Sequence, residues 1–79
     1  MHAREIRDAA MDRPFEPLRI HLSDGTFHDV RHPDMILPGT EVTILGVPSN
    51  EDPDLAERVI RIANEHVAKI VPIAALPTA

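Results

Sequence analysis

The stretch Leu18-Arg19-Ile20-His21-Leu22-Ser23-Asp24-Gly25-Thr26-Phe27-His28-Asp29-Val30-Arg31 alternates, turns and returns. Leu18, Ile20 and Leu22 are separated by Arg19 and His21, the period-two pattern of a strand with one buried face. Ser23-Asp24-Gly25 supplies the turn, because glycine reaches positive φ without steric cost, and Thr26 to Arg31 is predicted to return. Phe27 and Val30 have opposite parity, so a regular strand cannot turn both toward the core. A two-residue type I′ turn would set His21 opposite His28, whereas a three-residue loop with a bulge would set His21 opposite Phe27. The parity conflict favours the bulged form. That form puts His28 on the face of Val30 and away from His21.

Outward from the hairpin, residues 2–12 predict a short helix, with Ala3, Ile6, Ala9 and Ala10 on one face and Arg4, Glu5, Asp8 and Asp12 elsewhere. Pro14 ends it, and Arg13 to Pro17 predicts a connector anchored by Phe15. After the hairpin, His32-Pro33-Asp34 reads as a corner, Met35 to Leu37 as a short apolar stretch and Pro38-Gly39 as a turn. Glu41 to Val47 predicts a strand apolar on both faces, as expected of a central strand or of one at a subunit contact. Residues 48–57 combine turn formers with Glu51, Asp52, Asp54 and Glu57 and predict a mobile, solvated acidic loop; the ligand spacing and glycine of a calcium loop are missing. Arg58 to Ile62 and Val67 to Val71 predict two further strands joined by a tight turn at 63–66. The proline-marked tail, 72–79, is either disordered or packed on a neighbouring subunit. The expectation is a single mostly β domain over 1–79: a helix at 2–12, then five short strands within 18–71.

A chain of 79 residues buries a smaller fraction of its surface than a larger one does, and its stability is expected to be marginal unless something helps. With no cysteine there are no disulfides and no thiolate zinc site, so self-association is the expected support and a homo-oligomer the expected state. Phe15 and Phe27 are the only aromatics, both expected in an otherwise aliphatic core. A net charge of -5 argues against a surface built mainly to hold phosphate backbones. The charged start and the absence of a long apolar run predict neither a secretory leader nor a membrane span, and hence a cytoplasmic protein.

Five histidines invite a chemical reading. His21, His28 and His32, near Asp24, Asp29 and Asp34, are candidate ligands for zinc or nickel, but their spacing matches no ligand motif; the simpler expectation is that they occupy a sheet surface, with no metal or other cofactor. His32 with Asp34 could hold a general base, yet neither a nucleophile nor a pocket accompanies it, and Ser23 most simply serves the turn. No catalytic residue, and no enzyme, is therefore expected.

Two resemblances attach to particular residues. Arg13-Pro14-Phe15-Glu16-Pro17-Leu18-Arg19-Ile20-His21-Leu22-Ser23-Asp24-Gly25, followed by Val30-Arg31-His32-Pro33-Asp34, resembles a pattern in short uncharacterised bacterial proteins, which implies a family but no activity. Glu65-His66-Val67-Ala68-Lys69-Ile70-Val71-Pro72 resembles the last-strand segment of the bacterial Sm-like RNA chaperone Hfq, where Lys-His precedes an apolar strand. Together with the order of elements, that second resemblance implies a short N-terminal helix followed by a five-stranded SH3-like or Sm-like small barrel. It implies ring closure through the fourth and fifth strands, here Arg58 to Ile62 and Val67 to Val71. It also implies RNA or DNA as a partner, with His66 at the family's histidine and Arg19, Arg31, Arg58, Arg61 and Lys69 as the strand-borne cations. Glu65 replaces the family's lysine, and no glycine stands near Val30 where the second strand usually bends. The leading expectation is a non-enzymatic, self-associating interaction module; nucleic-acid binding is the alternative and a histidine metal site the second alternative.

Overall fold

The computed structural model describes residues 1–77. Helix α1, Ala3–Met11, begins where the His2 imidazole accepts the Arg4 amide at 3.1 Å, satisfying one of the free donors of a first helical turn. Ile6 and Ala10, four residues apart, form its buried stripe. At its end the Arg13 guanidinium donates to the carbonyls of Ala10 and Asp12, at 3.1 and 2.8 Å. Phe15 follows and packs on the core.

Six strands follow instead of five: β1 Leu18–Leu22, β2 Phe27–Val30, β3 Ile36–Leu37, β4 Val42–Pro48, β5 Ala56–Ala63 and β6 Val67–Pro72. The extra strand is β3. Leu37 and Ile36 pair with Ile44 and Leu45, so the short apolar stretch is part of a sheet. All pairings are antiparallel and give two three-stranded sheets, ordered β2-β1-β6 and β3-β4-β5. No ladder joins the two sheets among the described residues, so the strands do not close into one hydrogen-bonded barrel. The apolar-on-both-faces strand, β4, is the central one of its sheet.

The hairpin turns at Asp24-Gly25 through a three-residue loop. Leu22 N donates to Thr26 O at 2.8 Å, Gly25 N to Leu22 O at 3.0 Å, and within the loop Gly25 alone has positive φ, at 91°. A type I′ turn is excluded, because it would need a second positive φ at Asp24. The Asp24 carboxylate instead accepts the Thr26 amide and hydroxyl, at 2.9 and 2.6 Å. The register sets His21 opposite Phe27 and Leu18 opposite Val30. The parity conflict is therefore resolved by exposing Phe27, which is 49% accessible and not in the core where the sequence placed it.

The corner at residues 32–34 is a 3₁₀ turn, Pro33–Met35, with proline in its first turn, where a missing donor costs least. Strand β5 begins at Ala56, inside the segment expected to be loop. The preceding loop is closed by Ser49 N to Leu55 O at 2.8 Å and Leu55 N to Asp52 O at 3.0 Å. In the tail, Ile73–Ala75 makes a 3₁₀ turn and Ile73 N donates to Pro17 O at 2.9 Å; Thr78 and Ala79 lie outside the described residues.

One core serves all elements. Ile6 and Ala10 of α1, Ile20 and Val30 of the first sheet, Leu45 and Ile62 of the second, and Val67 of β6 share it. Each fully buried aliphatic side chain contributes about 1.5–3 kcal/mol. The polar exception is a buried node at the 3₁₀ turn Asn64–His66 that joins β5 to β6. The Thr43 hydroxyl, from β4, donates to Asn64 Oδ1 at 2.7 Å, and Asn64 Nδ2 donates to Gly39 O at 2.8 Å. The Asn64 amide donates to Glu41 O at 2.8 Å, while its carbonyl accepts the Val67 amide and the Met1 amino nitrogen, the latter at 2.7 Å. Gly39 has no alternative at its position, since a Cβ there would overlap the Val42 carbonyl. Thr43 and Asn64 are 1% and 5% exposed, so a side-chain group orphaned on either is largely cut off from solvent, while the Gly39 carbonyl is half-buried.

Asn64→Ala is expected to destabilise the protein by about 2–4 kcal/mol, because it strands both the Thr43 hydroxyl and the Gly39 carbonyl. Thr43→Val is expected to cost less. Urea unfolding of the single and double variants should give costs that fail to add, the double losing less than their sum.

Candidate interaction edge and its cleft

Strand β5 pairs only with β4, and β6 only with β1, so each leaves one backbone edge unpaired among the described residues. Eight residues long, β5 is exposed from Ala56 to Val59 and again at Arg61. A free edge of that length is a template for another strand. Beside it runs a cleft of about 520 Å³, lined on one side by the consecutive residues Ile60 to Ala63 and on the other by the hairpin tip, with His28 and His66. Ser23 N donates to His66 O at 2.8 Å, pinning the hairpin tip to the 3₁₀ turn and fixing the cleft's width. Four consecutive β5 residues can line one cleft only along the strand's edge, because successive side chains point to opposite faces.

The candidate nucleic-acid residues do not form one patch. Arg19 is opposite Asp29 and binds it bidentately, Nε to Oδ1 at 2.8 Å and Nη2 to Oδ2 at 3.0 Å, with its guanidinium carbon 4.0 Å from the Phe27 ring centre. Arg31 stands 3.7 Å from the same carboxylate. Lys69 is opposite His21 on β6, on the sheet face that carries Arg19 and Phe27. Arg58, Arg61 and His66 lie on β5 and the turn beyond it, with Arg61 and His66 meeting His28 in the cleft. Glu65 stands 3.9 Å from the His66 ring.

The candidate metal ligands separate as well. His28 is opposite Ile20 and His21 opposite Phe27, so the two imidazoles leave the hairpin on opposite faces. His21 sits 6.1 Å from the Phe27 ring centre, its Nε2 buried without a partner; His32 is exposed before the Pro33–Met35 turn. Among the described residues no three His, Asp or Glu side chains gather as a metal-binding group. Among them, too, no helix is long and apolar enough to cross a membrane. Ser23, in the turn, and Asp34, in the 3₁₀ corner, lie in different elements.

Sequence reasoning missed the Thr43–Asn64 node, whose signal was a hydroxyl within an apolar strand and an amide at a tight turn. It also missed the Arg19–Phe27–Asp29 cluster, visible only once the register is fixed. No family model, curated protein or solved structure matches this chain.

The hydrogen bonds and charge of Arg19 hold the Asp29 carboxyl below the usual carboxylate range, and the Thr26 hydroxyl and amide do the same for Asp24. A carboxyl depressed in the folded state adds stability that is complete above its unfolded pKa and is lost as pH falls through the folded one. Unfolding measured from about pH 7 to about pH 2 should show stability falling on acidification, and Asp29→Asn should flatten that fall. At neutral pH Asp29→Asn is expected to cost on the order of 1 kcal/mol, since both side chains of the pair remain partly exposed.

Proposed function

We propose that the chain is a non-enzymatic interaction module, a small SH3-like barrel of the Sm-like kind that completes its assembly by pairing with copies of itself. The observation that carries this reading is that β5 and β6, two of the four edge strands among the described residues and the last strands of the chain, border different sheets of one shared core. The element order supports the barrel: helix, hairpin, three-stranded sheet, 3₁₀ turn and last strand returning beside β1. The edge of β5 offers its backbone to β6 of a neighbour, and the cleft beside it gives the incoming strand room. Such a head-to-tail contact closes into a ring when its rotation closes. The reading fits a cytoplasmic protein of a bacterium, in line with the resemblance of residues 13–34.

A second reading, a nucleic-acid face, is favoured by Phe27. It is exposed beside Arg19 and on the same sheet face as Lys69, where a base could stack.

Light scattering over a range of concentrations checks the first reading. The expected mass is a multiple of the 8.8 kDa chain, and a strict monomer at the highest concentration contradicts it. Titration with short RNA and DNA at low and moderate salt checks the second. Binding that weakens steeply with salt and drops roughly tenfold in Phe27→Ala is the expected result, and no binding at low salt ends it.

A further inference from the structure

The outer face of the second sheet carries a separate feature. Leu37 is opposite Ile44 and Val59 opposite Gly46, and with residues 44 and 46 on one face of β4 these side chains stand together, away from the core. Leu55, held at the end of the acidic loop by its two backbone hydrogen bonds, joins them. Leu37, Leu55 and Val59 are 66%, 61% and 61% exposed, three of the five exposed large apolar side chains among the described residues, all lining one hollow of about 240 Å³. Over Gly46, in the middle of the face, the buried Met35 side chain and Ala56 pack so closely that a Cβ there would lie 2.6 Å from the Met35 sulfur, and they form the floor of the hollow. Its charged lining groups are Asp34 and Asp54, and Arg61, opposite Ile44, flanks it.

We infer that this hollow docks a cationic amphipathic segment of another protein, apolar side chains seated among Leu37, Ile44, Leu55 and Val59 and Lys or Arg beside Asp34 and Asp54. Contiguous exposed apolar surface rimmed by polar groups marks an interaction site, and the sign of the rim selects the partner by charge complementarity. A second copy fits poorly. The chain has a net charge of -5, so a two-fold contact over this face would bring like rims together. The outward residues of α1 alternate in sign, Arg4, Glu5, Arg7 and Asp8, and offer no apolar cationic stripe to another copy. The docking face is also distinct from the β5 edge, since the hollow lies over the sheet and the cleft runs along its border.

The probe is a fluorescent amphipathic helix-forming peptide of leucine and lysine, compared with the same pattern built from leucine and glutamate. Anisotropy titrations should show the lysine peptide bound and the glutamate peptide unbound. Leu37→Ser and Val59→Ser, at exposed positions that the fold tolerates, should each weaken binding about tenfold or more. Asp34→Asn with Asp54→Asn should weaken it and reduce its salt dependence, whereas Asp8→Asn with Asp12→Asn, the same charge change elsewhere, should not. Circular dichroism confirms that each variant is folded. Failure of the lysine peptide to bind, or equal binding by the serine variants, overturns the inference. Loss of oligomer mass in the serine variants also overturns it, by assigning the face to a second copy.

Discussion

The Asn64 carboxamide is the constraint on which the arrangement depends. Its side chain holds Thr43 of β4 and the carbonyl of Gly39, and its backbone joins Glu41, Val67 and Met1. Five residues from three stretches of chain, the N-terminus, residues 39–43 and the start of β6, thereby meet at one buried residue, between the last strand of one sheet and the last strand of the other. Among the described residues no backbone ladder links the two sheets, so the node and the shared aliphatic core together set how they pack. Buried hydrogen bonds of this kind contribute little when made and cost much when broken, which gives the node its control over geometry. The turn it fixes also accepts Ser23 N through His66 O and so positions the hairpin tip over the cleft.

Local pattern made much of this legible. The helix, the Leu18–Leu22 strand, the Asp24-Gly25 turn and the His21–Phe27 register follow from periodicity and glycine chemistry, and each is present. Phe27 was misplaced because size argues for burial, whereas parity and the Arg19 guanidinium on its ring decide for exposure. The early start of β5 was hidden by Asp54 and Glu57, whose charge reads as loop although Ala56 already pairs with Pro48. Long-range polar contacts left the weakest trace. Nothing local at Asn64 distinguishes an amide that serves a tight turn from one that reaches across to Thr43 and Gly39.

The same limit applied to the sites. Histidine counting joined His21 and His28, which the register places on opposite faces, and cation counting joined six side chains that the fold distributes over two sheets. Arg19 and Arg31 converge on Asp29, so part of the apparent basic surface is neutralised within the chain. What the fold gathers instead are two surfaces that composition could not announce: a backbone edge beside a cleft, and an acidic-rimmed apolar hollow over β4.

Self-association through the β5 edge is the central claim, and amide hydrogen exchange across a concentration series tests it most directly. Residues Ala56 to Ala63 should contain a set of amides whose exchange slows as concentration rises, together with amides of β6, while those of α1 stay unchanged. Exchange in β5 and β6 that is independent of concentration would contradict the account.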